Sequence, residues 1–184
     1  MTSHSITAQD VLDFWFKESS PEQWFSKSDL FDQRIHTHFF ELHQQASAGE
    51  LFGWRVTAQG RLAEIIVLDQ FSRNLYRDSP HAFAQDGMAL ILAQEAIALG
   101  LDAPLNQTER AFLYMPYMHS ESKLIHEQAL ILFTQLGNEN NLRFEKLHKQ
   151  IIDQFGRYPH RNAVLGRTSS IEELAFLQQP NSAF

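Results

Sequence analysis

The feature that most constrains this chain is its punctuation. Residues that start helices and residues that stop them alternate along almost its whole length. Thr7, with Asp10 three residues on, opens a helix carrying Val11, Leu12, Phe14 and Trp15. A second is expected from about Ser28 to Ala48, with Gly49 as its stop, because glycine accepts the left-handed backbone that ends many helices. Thr57 caps a third reaching about Tyr76. Ser79-Pro80 starts a fourth that runs to Gly100, since proline is tolerated in a first helical turn. Asn106 or Thr108 opens a fifth that Pro116 interrupts, Ser120 a sixth that Gly137 closes, and Asn138 a seventh ending at Gly156. Ser169-Ser170-Ile171-Glu172-Glu173 has the capping-box pattern for a short last helix. No sustained alternation or Asn-Gly turn argues for strands. Short connections make successive helices antiparallel neighbours. The expected fold is all-α, a single domain over residues 1–184 of about seven or eight helices, stacked as antiparallel hairpins in a tetratricopeptide-like arrangement.

Composition narrows the function classes. A net charge of -7 argues against nucleic acid as a partner, which demands a basic stripe, and gives no support for an anionic membrane surface. The chain has no cysteine, which removes disulfides, thiolate metal sites and a cysteine nucleophile together. The N-terminus lacks the basic and apolar regions of a secretory signal. The apolar runs Leu62–Leu68 and Met88–Ala93 fall well short of the ~20 residues needed to span a bilayer. These readings place the protein in the cytoplasm, with no cofactor expected and the oligomeric state open.

Asp-Gln-Phe-x-Arg occurs twice, at Asp69 and at Asp153. The copies lie much further apart than the ~34-residue period of a tetratricopeptide array, and their surroundings do not align. At about 100° per residue, Leu62, Ile66, Asp69, Arg73 and Tyr76 share one face of the third helix, while Val67, Leu68, Phe71 and Leu75 cover the other. A helix apolar nearly all round is buried, so Asp69 and Arg73 point into protein. Asp69, Arg73 and Arg77 leave one surplus cation, which requires an acid from elsewhere or a ligand. Asp153 instead reads as solvent-facing beside Lys149. Behind it lies a loop, Gly156 to Asn162, carrying Arg157, His160, Arg161 and Asn162. A third polar patch, His119-Ser120-Glu121, reads either as a base with its orienting carboxylate or as an N-cap with a glutamate that complements the helix dipole.

"LDQFSRNLYR" (68–77), "AFAQD" (82–86), "YMPYMHSES" (114–122) and "FGRYPHRNAVLGR" (155–167) resemble the landmarks of domain-of-unknown-function family 924, as do "VLDFWF" and Trp24-Phe25. The resemblance runs in order over nearly the whole chain and implies an all-helical, tetratricopeptide-like fold with no established activity. Three positions depart from the family pattern: Ser72 replaces proline, Asp78 glycine and Ser122 aspartate.

The leading functional expectation is a binding module for a small anionic ligand or an acidic peptide terminus. Arg73 and Arg161 would clamp the anion, Asn74 and Asn162 orient it, and Asp69 align Arg73, with Arg77, Arg157 and His160 on the same concave surface. One alternative is a cytosolic enzyme, of hydrolase type, acting on an anionic metabolite with His119 as general base and Glu121 beside it. Another is a purely structural polar network. His36, His38 and His43 lack the i, i+4 spacing that places two metal ligands on one helix face, so no metal is expected.

Overall fold

The computed structural model describes residues 5–180, 182 and 183; residues 1–4, the beginning of the N-terminus read above, lie outside it. Among the described residues the chain is helical without a strand. α1 (Ala8–Asp13) opens on a reciprocal cap: Thr7 Oγ1 accepts from the Asp10 N–H while the Asp10 carboxylate accepts from the Thr7 N–H. A π-helical turn, Phe14–Glu18, extends it, and a short α2 (Pro21–Phe25) with its own capping box follows. α3 (Asp29–Ser47) begins on the Ser28 cap, and Gly49 beyond it takes φ +76°.

The expected 57–76 helix is a composite. α4 (Ala58–Ile66), capped by Thr57, passes through a π-helical turn at Val67–Phe71 into α5 (Ser72–Leu75). Its apolar residues up to Phe71 are buried on every side, along with Asp69 and Ser72, while Leu75 is half-buried. The fourth expected helix is divided: Ser79 caps a 3₁₀ turn, Pro80–Phe83, before α6 (Asp86–Ala98) begins. The division sets the Phe83 ring under two guanidinium groups and starts the regular helix on Asp86.

α7 (Gln107–Met118) runs through Pro116 without interruption. Proline sacrifices one helical hydrogen bond, but Ala111 to Met118 are all buried, and that packing keeps the last turn helical. α8 (Lys123–Leu136) begins after Ser122 rather than at Ser120, whose hydroxyl instead accepts from the Ser122 N–H. Gly137 and Gly156, both in left-handed backbone, end α8 and α9 (Glu139–Phe155). A 3₁₀ turn at Pro159–Arg161 and α10 (Ile171–Phe176), opened by the Ser170–Glu173 capping box, complete the chain.

α7 packs on α4, α6 and α8, and α8 on α9. The short links 119–122 and 137–138 make these last helices antiparallel neighbours. Trp15, Phe31, Phe71 and Phe112 lie in the main core, while Ile151, Ile152 and Tyr158 form a satellite cluster. No helix among the described residues is long and apolar enough to cross a membrane. The three histidines of α3 are separately engaged: His36 stacks on Phe40, His38 bonds the Arg34 carbonyl, and buried His43 bonds Ser72.

Candidate functional site

The π-helical turn carries Asp69 into the interior, where its side chain is fully buried. A buried carboxylate must be met by donors, and three meet this one. Gln70 Nε2 donates to Oδ2 at 2.6 Å, His119 Nδ1 lies 2.7 Å from Oδ1, and Arg73 Nη1 lies 3.2 Å from the same oxygen. Burial works against the charged form, but the Arg73 charge and His119 override it and hold the Asp69 carboxyl well below the usual range.

Arg73 also makes a two-pronged bond to Asp86, Nη1 to Oδ1 at 3.0 Å and Nη2 to Oδ2 at 3.1 Å. Asp86 Oδ2 further accepts from Arg161 Nη1 at 3.3 Å. Arg161 reaches the His119 carbonyl through Nη2 at 3.1 Å. Its guanidinium lies between two rings, 4.5 Å from the Phe83 centroid and 4.6 Å from that of Tyr158. Its Nε is buried with no partner. Burial and then the neighbouring Arg73 charge push the Arg161 pKa below that of a free guanidinium.

Of these groups, Phe83, Asp86, His119 and Arg161 border a cleft of about 360 Å³, which Leu90 and Pro116 also wall. That is within the size range of small-molecule pockets. With Nδ1 donating to Asp69, neutral His119 carries its lone pair on Nε2, for which the described residues supply no hydrogen bond. Burial, and next the Arg73 charge, lower the His119 pKa despite the opposing pull of Asp69.

Of the three segments singled out in the sequence, the structure brings Arg73, His119 and Arg161 together through Asp69 and Asp86. It turns others away. Asn74 and Arg77 both bond Asp32 on α3, so the acids that balance the surplus cation are Asp86 and Asp32. Arg157 pairs with Glu173 and the Thr168 carbonyl. Buried Asn162 bonds Ser169, Glu173 and Arg167, inside the loop rather than across from Asn74. The His160 ring lies tilted against Tyr158, and burial lowers its pKa to about 4.

Glu121 lines the cleft but does not orient His119. It accepts two bonds from Arg167 and one from the Tyr158 N–H, and the histidine's carboxylate partner is Asp69 from a distant helix. Glu121 is a poor partner here because both residues lie beyond the end of α7 at Met118 and Arg167 offers the carboxylate a planar fork. The sequence reading passed over Asp86, Phe83 and Tyr158. Phe83 and Asp86 belong to the 82–86 landmark, and an acid opening a helix is a recognisable signal, though nothing local names its arginine partners.

The family model described as "Bacterial protein of unknown function (DUF924)" matches residues 11–181. A solved structure of a protein of unknown function from Agrobacterium tumefaciens is 37% identical to this chain, with a TM-score of 0.89 over 93% of this chain and 96% of that one. No curated protein matches the chain.

Proposed function

The chain belongs to the DUF924 family of bacterial proteins, and from that premise we propose that it binds a small anionic molecule in the cleft beside Arg161. The observation that carries this reading is the state of that arginine. It is 8% exposed, shares a single carboxylate with a second guanidinium, and keeps a buried Nε without an acceptor. The network's two carboxylates balance its two guanidiniums, but Arg161 reaches only one of them, at 3.3 Å, and this weakly paired guanidinium retains donor capacity that suits an incoming anion. The apolar walls of Phe83, Leu90 and Pro116 suit a molecule with a hydrophobic body behind that anionic group. A cleft of this volume fits a small molecule better than an acidic peptide terminus.

Thermal unfolding with benzoate or phenyl phosphate tests the reading. At a hundred times the dissociation constant, a ligand of the native state adds about 2.7 kcal/mol. The wild type and Arg77→Met are expected to be stabilised, and Arg161→Met is not. An equal shift in Arg161→Met, or none in the wild type with either probe, overturns it.

The Asp69–His119 pair favours a second reading, in which the same cleft hydrolyses its anion. A carboxylate holding Nδ1 fixes the tautomer and leaves Nε2 to take a proton from an attacking water. Arg161 would then stabilise the developing negative charge. His119→Gln is expected to keep the thermal shift and to abolish phenol release from phenyl phosphate. Release at the wild-type rate removes His119 as the base.

A further inference from the structure

A helix leaves its last carbonyls without intrahelical donors, and three successive carbonyls at the end of α7 are met by three different side chains. Tyr158 Oη donates to the Met118 carbonyl at 2.5 Å, Arg161 Nη2 to that of His119 at 3.1 Å, and His126 Nε2 to that of Ser120 at 2.8 Å. His119 sits in the middle of this row.

His126 is fully buried, and its hydrogen bonds fix its proton count. Nε2 faces the Ser120 carbonyl and, at 3.1 Å, the Tyr158 oxygen, whose own proton is committed to Met118. Both neighbours accept, so Nε2 must carry a proton. Nδ1 faces Glu145 Oε1 at 2.8 Å. A neutral imidazole against an ionised Glu145 would set two lone pairs against each other there. The pair therefore holds one proton more than that combination, as imidazolium with carboxylate or as imidazole with carboxylic acid. Glu145 Oε2 is buried without a partner, and burial raises the Glu145 pKa.

The neighbouring groups do not supply this proton. Burial lowers His148 to about 3 and raises the Tyr158 phenol far above its ordinary value. His160, at about 4, is also neutral near pH 7, and the His119 pKa is lowered as well. Glu121 is tied to Arg167, and Lys149 to Asp153 on the outer side of α9. Arg161 and Arg73 act on Tyr158 as fixed positive charges.

We infer that the proton shared by His126 and Glu145 is a latch on the cleft. While it is bound, the carbonyls on both sides of His119 stay clamped and Nε2 stays at the cleft wall. When it leaves, the neutral imidazole has one proton for two acceptors. On Nε2 it leaves Nδ1 and Oε1 repelling, and on Nδ1 it takes the donor from the Ser120 carbonyl. Either way His126 no longer holds both sides, and the wall loosens. The effect on ligand rests on the anion-binding reading above; the latch itself requires no ligand.

Histidine-ring nuclear magnetic resonance of the full chain, titrated with base and without ligand, tests it. In the wild type, the His126 signals and the His119 Nδ1 signal are expected to move together at one midpoint. In Glu145→Gln, whose amide can donate to Nδ1 without titrating, the His119 signal is expected to stay flat over that range. A stationary His119 signal while His126 titrates overturns the latch. So does a Glu145→Gln titration like the wild type's, or a pair that keeps its proton until the protein unfolds. If Glu145→Gln does not fold, the wild-type titration alone decides. Benzoate affinity is then expected to fall about tenfold above the midpoint. Coupled ring signals with no benzoate binding at any pH would sink the anion reading and leave the latch standing, while bound benzoate with unchanged affinity across the midpoint would overturn the latch's hold on the cleft.

Discussion

Arg77 and Arg73 are one helical turn apart and meet different fates. Arg77 closes a complete pair: Nε and Nη2 bond the two oxygens of Asp32 at 2.6 and 2.7 Å, and Asn74 adds a third bond to the same carboxylate. One cation meets one anion, so nothing remains for a ligand to do. Arg73 enters a shared arrangement instead, with Asp86 divided between it and Arg161 and with fully buried Asp69 divided between it and His119. Both regions are rich in arginine and polar partners, so density of such residues does not identify a site. The way the charges pair does. A shared counter-charge, a buried donor without an acceptor and an adjoining cleft occur together only in the second region.

The sharpest way to break this contrast is to remove the central acid of each region. Asp69→Ala takes one of two carboxylates from Arg73, which keeps Asp86, and leaves the His119 Nδ1–H and the Gln70 amide without their carboxylate acceptor. It is expected to cost about 3–5 kcal/mol in urea unfolding. A loss below about 1 kcal/mol would show that water reaches those groups and that the site is not closed in behind His119. Asp32→Ala leaves Arg77, which is 28% exposed, free to turn to solvent. Its expected cost is about 1–2 kcal/mol, with benzoate binding unchanged; altered binding would mean the two regions are coupled. The smallest effect belongs to Asp78, which follows Arg77 with φ +59° and adds to the acidic field around it. Asp78→Gly relieves a left-handed backbone and gives up only an exposed pair with Lys27. It is expected to stabilise by about 0.5 kcal/mol, and a loss would show that the Arg77 pair depends on its acidic surroundings.

Much of the fold was legible because the signals that set it are local. Thr7, Ser28, Thr57, Asn106, Asn138 and Ser170 cap helices through bonds to residues three positions away, and Gly137 and Gly156 end helices through their own backbone. The errors arose where packing overrode local preference. Pro116 stays helical within a buried segment, and the helix expected from Ser79 divides so that Phe83 reaches Arg161. The inward direction of Asp69 and Arg73 followed from helical periodicity and the apolar residues around them, as did the outward direction of Asp153. Their partners did not.

The sequence by itself determined an all-helical chain with its helix starts, most of its stops and the residues that face the core, because capping, glycine backbone freedom and periodicity act within a few residues. Only the tertiary structure decided that His119 answers to Asp69 rather than Glu121, and that Arg73 and Arg161 share Asp86 while Arg77 is neutralised by Asp32. Those pairings join residues between 13 and 75 positions apart. Which carboxylate meets which cation at such separations is set by helix packing, and no local pattern in the chain encodes it.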